Sequence, residues 1–447
     1  MKLPRHAPRL TELLAEPGLL ATVIGQGMHA EVAGEYSHFS EIYYKTPPPG
    51  LDRRAWWLAL KLARASGRKS LPLLDKAGRH FSITQSDSMS RRLHFLDRET
   101  AGNILGLRKG DKSDGDAYLK RSLIEEAMTS AQLEGASTTR AVAKDMLLKG
   151  RAPRDLGERM IANNFEAMNL IREWYDSPIT PERIYEIHRV VCADTLDDEQ
   201  AAGRLRREDE PIRIFDNRDG TLLHDPPPAS ELPRRMERLC AFANDTESSD
   251  YLHPIVRAIA LHFQIGYDHP FVDGNGRTAR VLFYWAMGRQ DYWLTEFVSI
   301  SSVLRKAPTQ YARAYLYTED DENDLGYFVD HQLRVLEQAV DGFRGYMVKK
   351  TEEAQRARLL VTATDSRGAK LKLNGRQRAV LLNALSQPTR RYRIADHQAI
   401  HQVAYQSARN DLLELARMRL LRKITVGKRF EFEALPDLQQ RLAASRT

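Results

Sequence analysis

The sequence predicts a mainly α protein: a helical core carrying one small β-hairpin, then a C-terminal helix-turn-helix with a β-wing. Three observations predict it. Good helix formers recur at helical spacing through the middle of the chain. A single strong hairpin signal, Asp219-Gly220, lies between two short apolar stretches there. Near the end, helical periodicity gives way to alternation from Ile424 to Phe432. At 447 residues the chain is too long for one ordinary core, so two or three domains are expected. Its 42% apolar and 28% charged content are those of a globular protein.

In chain order, the opening third mixes the turn-rich Thr46-Pro47-Pro48-Pro49-Gly50 with a helix that Asp52 caps, its Trp56, Leu60 and Ala63 at helical spacing. Gly67, Pro72, Gly78 and the serine-rich 82–90 stretch break the chain beyond this helix into short pieces. Helices are then expected over Ala117–Leu133, Arg159–Trp174, Pro181–Ala193, Pro233–Asn244, Pro254–Gly266 and Arg277–Met287. Ile212-Arg213-Ile214-Phe215 and Thr221-Leu222-Leu223-His224 flank the hairpin turn, and Pro226-Pro227-Pro228 stops the second strand. After Tyr346 a long helix frays into a linker. Leu381, Leu382 and Leu385 mark one helical face of the tail, and Leu412, Leu413, Leu415 and Leu420 a later one. The wing is expected to turn at Gly427-Lys428. The divisions are therefore 1–115, of unclear role; 116–345, the helical core; 346–370, a helical linker; and 371–447, the winged-helix domain.

Charge is unevenly spread. Of the net +7, the segment from Lys370 onward holds sixteen Lys and Arg against six Asp and Glu, leaving the rest acidic on balance. Such asymmetry suggests an appended module with an acidic partner. Arg409, Arg417 and Arg419, with Lys428 and Arg429 at the wing, suit phosphate contacts, but winged helices also serve protein contact, and both readings stay open. No apolar run reaches the ~18 residues of a membrane span, and the start lacks a signal-peptide stretch. Only Cys192 and Cys240 are present, which argues against a disulfide scaffold or a cysteine-built zinc site. A reducing cytoplasm and two inert thiols are expected.

One run concentrates chemistry: His269-Pro270-Phe271-Val272-Asp273-Gly274-Asn275-Gly276-Arg277-Thr278-Ala279-Arg280. Gly274-Asn275-Gly276 leads into a helix with little polar surface, whose N-terminal amides and dipole attract phosphate. Arg277 and Arg280, three apart, project on one face and can reach successive phosphates. Asp273, just before the cradle, is placed to hold Mg²⁺ between phosphate oxygens. His269 can take a proton from an attacking hydroxyl. These are the parts needed to move a nucleotide from ATP onto a hydroxyl. His262, on a face with Ile255 and Ile259, reads as core packing.

This run resembles the signature of the Fic family, His-x-Phe-x-Asp/Glu-Gly-Asn-Gly-Arg-x-x-Arg, at every specified position. The resemblance extends over most of Leu119–Leu336. It implies a helical Fic core that transfers AMP from ATP to a Ser, Thr or Tyr hydroxyl of a protein, with the chain itself among the targets. It makes His269 the base, Asp273 the Mg²⁺ ligand, and Gly274, Asn275 and Gly276 the α/β-phosphate cradle. Arg277 would hold the β-phosphate and Arg280 the γ-phosphate. A phosphate-transferring branch of the family carries lysine at the second glycine, so Gly276 favours adenylylation. Dimerisation, known among similar Fic proteins, is also expected.

Ser130-Ala131-Gln132-Leu133-Glu134-Gly135 alone would be an ordinary solvated stripe, since a Ser and a Glu four apart share a helix face. Beside a Fic core it resembles the family's inhibitory motif, which implies that Glu134 occupies Arg280 and blocks the γ-phosphate. Other Fic proteins imply a second direction, in which the same glutamate activates water to remove AMP. The Ile212–His224 hairpin similarly resembles the Fic flap, which would pair main chain with the target segment. A plain surface hairpin is the alternative. A third reading of the whole chain is a DNA-binding regulator whose core senses nucleotide with little turnover.

Overall fold

The computed structural model describes residues 2–25, 29–101, 115–216, 218–244, 251–363, 373–426 and 429–444. The chain forms two compact units, Met1–Phe343 and Arg344–Thr447. Short polar side chains start several helices of the first unit where their oxygens meet otherwise unpaired amides. Asp52 accepts from the Ala55 amide at 2.8 Å and starts α1 (Arg53–Ser66). A hairpin comes next, β1 (Arg68–Leu74) antiparallel to β2 (His80–Thr84), and Ser86 then caps α2 (Asp87–Thr100). The core helices are α3 (Gly115–Leu133), α4 (Leu156–Arg172) and α5 (Pro181–Cys192), with Pro181 preset for the first helical turn.

Beyond them lie the short hairpin of β3 (Ile214–Phe215) and β4 (Leu222–His224), then α6 (Leu232–Asn244), α7 (Pro254–Asp268) and α8 (Asn275–Arg289). Helices α9 (Pro308–Asp320) and α10 (Gly326–Ala363) complete the series. The Asp219-Gly220 turn is where the sequence places it, but Ile212, Arg213 and Thr221 lie outside the paired residues.

Buried on nearly every side, α8 runs through the centre, packed by α7, α4 and α5. Its apolar residues Val281 to Met287 leave no polar face to turn outward. The N-terminal region belongs to the same core. Phe81 of β2 sits edge-on to Phe263 at 5.0 Å and to Tyr267 at 5.1 Å on α7. Lys61 of α1 is buried against Asp321, with Nζ to carboxylate 2.6 Å. The sequence gives no clear sign of the β1–β2 hairpin, because Pro72 and the basic start Arg68-Lys69 break any clean alternation.

The second unit has its own core, including Leu381, Leu412, Leu415, Leu421 and Phe432. It contains α11 (Gly375–Ser386), β5 (Arg391–Arg393), α12 (Ile394–His401), α13 (Tyr405–Arg417), β6 (Leu421–Val426) and β7 (Arg429–Ala434). The three strands form an antiparallel sheet of order β5-β7-β6. Strand β5 and a closing helix, Leu438–Ala444, add to the expected helix-turn-helix and wing. The expected turn at Gly427-Lys428 lies outside the described residues, as do 364–370 of the linker. Among the described residues no helix is long and apolar enough to cross a membrane.

Candidate active site

Helix α7 ends on His269, whose backbone is left-handed at φ 43°. A short loop then reaches Gly274, left-handed at φ 76°, which caps α8 without a side chain. No other residue fits at Gly274, because a Cβ there would overlap the Cys192 thiol. Asn275 closes the loop on itself: its Oδ1 accepts from the Phe271 amide at 2.9 Å and its Nδ2 donates to the Phe271 carbonyl at 2.8 Å. Its side chain is therefore spent on loop shape, and the part of this cradle left for an anion is backbone. The first intrahelical bond is Thr278 N–H to the Gly274 carbonyl, so the amides before it have no partner within the helix.

His269 is oriented for proton transfer. Its Nδ1–H donates to the Gly266 carbonyl at 2.8 Å, which leaves Nε2 as the basic nitrogen. Burial lowers its pKa from the ordinary imidazole value, so the ring is neutral and able to accept. Arg206, from the loop before the hairpin, donates Nε–H to the His269 carbonyl at 2.8 Å and fixes the loop from the other side.

Arg280 and Glu134 meet although 146 residues separate them. Arg280 Nη2 stands 2.8 Å from Glu134 Oε1, donates also to the Ser130 carbonyl at 3.0 Å, and its Nε donates to Ser130 Oγ at 2.8 Å. Gly135, at φ 99°, turns the chain at the end of α3 so that Glu134 faces α8. The carboxylate lies over the first turn of α8, where a Cβ on Gly276 would overlap Oε1. Burial lowers the Arg280 pKa, but Glu134, with Tyr311 and Glu126 behind it, holds the group above its ordinary value.

Arg277 is placed elsewhere. It is fully buried, donates Nη1 to the Val191 carbonyl at 2.9 Å, and has Nη2 3.3 Å from Asp273 Oδ2. It does not line the cleft, so the expectation that both arginines face the phosphates meets a different geometry. Positions three apart on a helix diverge by about 60°. That turns Arg280 toward α3 and Arg277 toward α5. The Asp273 side chain, 61% exposed, opens to the cleft.

The cleft has a volume of about 230 Å³ and gathers His269, Asp273, Asn275, Gly276, Arg280 and Glu134. Ile214 and Leu223 of the hairpin form one wall, while Arg213 pairs with Asp225 outside and Phe215 is 48% exposed. Sequence reasoning missed a second part of the lining, Tyr311, Tyr315 and Glu319 of α9, although their four-residue spacing marks one helix face. Only glycine fits at 266, because Tyr315 occupies the space a Cβ would need. His224 ties the hairpin down, with Nδ1 2.9 Å from Glu319 Oε2 and Nε2 2.7 Å from the Tyr267 carbonyl. His188, also missed, stacks on Phe271 at 3.8 Å and donates Nε2–H to the Asp273 carbonyl at 2.9 Å. His262 is core, as expected, with Nε2 2.7 Å from the Tyr311 hydroxyl. Cys192 and Cys240 are buried free thiols pushed up to about 12 by burial.

A neutral imidazole, an open helix N-terminus, an exposed carboxylate and a buried arginine meet in one cleft, an arrangement with a proton acceptor beside an anion-binding turn. Residues 178–287 match the Fic/DOC family. It is 29% identical over 181 residues to the protein adenylyltransferase Fic of Drosophila mojavensis, covering 39% of this chain and 33% of that one. To the Drosophila grimshawi protein of the same name it is 33% identical over 114 residues, covering 26% and 21%. The chain thus spans about a third or less of the length of these curated relatives. A solved Fic family protein from Desulfovibrio desulfuricans G20 aligns over 77% of this chain and 96% of its own, at 19% identity and a TM-score of 0.49.

Proposed function

We propose that the chain is a protein adenylyltransferase that moves AMP from ATP to a Ser, Thr or Tyr hydroxyl of a protein, itself included, and that Glu134 restrains it. The observation carrying this reading is the meeting of His269 Nε2, the open first turn of α8 and the Glu134–Arg280 pair in one cleft. As the target oxygen attacks the α-phosphorus, its proton passes to His269 Nε2. The bond from that phosphorus to the bridging oxygen breaks, and pyrophosphate leaves. Backbone amides of Gly274-Asn275-Gly276 support the phosphates, and Arg280 takes the γ-phosphate once Glu134 yields it.

Asp273 fits a Mg²⁺ that draws its other ligands from phosphate oxygens and water. Its carboxylate opens to the cleft, and no group of three metal-binding side chains occurs among the described residues to hold an ion unaided. Such an ion would neutralise phosphate charge. Arg277 acts as a positioning residue through Asp273. The β3–β4 hairpin serves as the flap, with Ile212, Arg213, Ile214 and Phe215 offering main chain to the target segment. While Glu134 holds Arg280, ATP binds with its α-phosphorus out of line for attack.

Intact-mass measurement of the purified protein with ATP and Mg²⁺ tests the reading. An added AMP mass that disappears in His269→Ala supports the reaction and the base. No gain even with Glu134→Gly favours the nucleotide-sensing regulator, and release of AMP from pre-modified protein favours the hydrolase. For the second unit we infer a winged helix-turn-helix. Its order α11-β5-α12-α13-β6-β7 and sheet order β5-β7-β6 support that fold.

A further inference from the structure

We propose that the exposed stripe of α13 reads base pairs in the major groove of duplex DNA, while arginines and a lysine around it hold the phosphates. This rests on the winged-helix reading of the second unit. Three residues join α12 to α13, and Gln402, left-handed at φ 50°, makes the turn. Helix α13 buries Ala408, Asp411, Leu412 and Leu415. Its opposite side presents Gln406, Asn410 and Arg417 at helical spacing, with Arg409 half-buried beside them.

Charge on this surface is predominantly positive. Of the acids on α13, Asp411 pairs with Arg376 at 2.6 Å, while the exposed Glu414 accepts from the neutral Gln377 amide at 2.7 Å and retains its charge. Glu431 and Glu433 are held by Arg391, Arg393 and Arg422, and Asp437 by Arg441. Arg409, Arg417, Arg419, Lys423 and Arg429 have no carboxylate partner among the described residues. Five uncompensated cations on and beside one helix and its wing complement a polyanion better than a neutral protein face.

The amides supply a reading chemistry. Gln406 Nε2 donates to Asn410 Oδ1 at 3.0 Å, which orders the pair and leaves Asn410 Nδ2 as an outward donor. Oδ1 retains a second lone pair. A donor and an acceptor on one amide match the N7 and N6 edge of adenine in the major groove. The deep, narrow major groove of duplex RNA would not admit the helix. The ligand is therefore B-form DNA, with adenine enriched where α13 lies.

The test uses the full chain and a randomised DNA duplex pool of about 24 bp, two helical turns. Single-stranded DNA and duplex RNA of the same length serve as comparisons. Binding to duplex DNA should weaken with salt at a log–log slope of about −4, given about five phosphate contacts. Arg417→Ala and Arg429→Ala should each weaken binding several-fold and flatten the slope by about 1. Asn410→Ala should keep the slope but remove the adenine enrichment recovered from the pool. AMP labelling in the same preparations should be unchanged by all three substitutions.

Absent duplex binding at about 50 mM salt, or equal binding to single strands and RNA, overturns the inference and leaves the face to a protein partner. Amide exchange on the free protein separates the two layers. A protected β5-β7-β6 ladder without DNA binding sinks only the DNA inference, and an unprotected ladder sinks the winged-helix reading with it.

Discussion

Replacing Glu134 by glycine removes the carboxylate that sits 2.8 Å from Arg280 Nη2 and over the Gly276 turn. A hydrogen bond between charged groups contributes about 1.5–3 kcal/mol. A γ-phosphate competing for the same guanidinium must overcome that amount. At about 1.4 kcal/mol per decade, Glu134→Gly should raise AMP incorporation roughly 10- to 150-fold. Arg280 would keep its two bonds to Ser130, so the side chain stays aimed at the cleft. Glu134 is one-third exposed, so water can reach the vacated position and the loss of stability should be modest. Incorporation of label from α-labelled ATP into the purified protein, at matched concentration and with a thermal melt alongside, reads both quantities. Equal or lower labelling by a folded, ATP-binding variant would refute the reasoning. Ser130→Ala, which removes one neutral acceptor, should raise labelling only about two- to tenfold.

The burial-lowered pKa of His269 fixes the sign of a pH effect. The neutral base is lost only as pH falls through a pKa below the ordinary 6.5, so the acid limb of the labelling rate should lie under that value. A limb at or above it would contradict the assignment. Ile214→Pro removes a ladder amide opposite His224, and labelling of a separate protein target should fall about tenfold with ATP affinity within about twofold. Equal loss of both would make the hairpin merely structural. Glu126 lies on α3 one turn before Ser130, buried, and accepts from Ser299 Oγ at 2.7 Å and the Ser301 amide at 3.1 Å. Glu126→Ala strands those donors at roughly 1–3 kcal/mol. It should lower the melting temperature by several degrees and loosen the Glu134–Arg280 contact, seen as a several-fold rise in labelling. Unchanged labelling would show that α3 is held in register by its other contacts.

The loop from His269 to Asn275 was legible because its geometry is local. His269, Asp273, Gly274 and Asn275 lie within seven consecutive residues, and the φ of 76° at Gly274 follows from the residue type. The cap at Asp52 depends equally on its neighbours alone. Strand β5 was not legible: three residues, Arg391-Tyr392-Arg393, carry no pattern until β7 supplies partners. The Tyr311–Tyr315–Glu319 wall was also invisible, since an aromatic face on a helix is ordinarily core, and only the packing of α9 across α7 makes it line a cleft.

By itself, then, the sequence determined the residue types at the cleft and the helical framework that carries them, because both depend on neighbours a few positions away. Only the tertiary structure decided which way each side chain of α8 turns. Arg277 is drawn to the Val191 carbonyl and Asp273, and Arg280 to Ser130 and Glu134, by partners on α5 and α3 up to 150 residues distant. A buried guanidinium must find acceptors wherever the packed core offers them; the Ser130–Glu134 motif pointed to those of Arg280, but no pattern along the chain pointed to the Val191 carbonyl for Arg277.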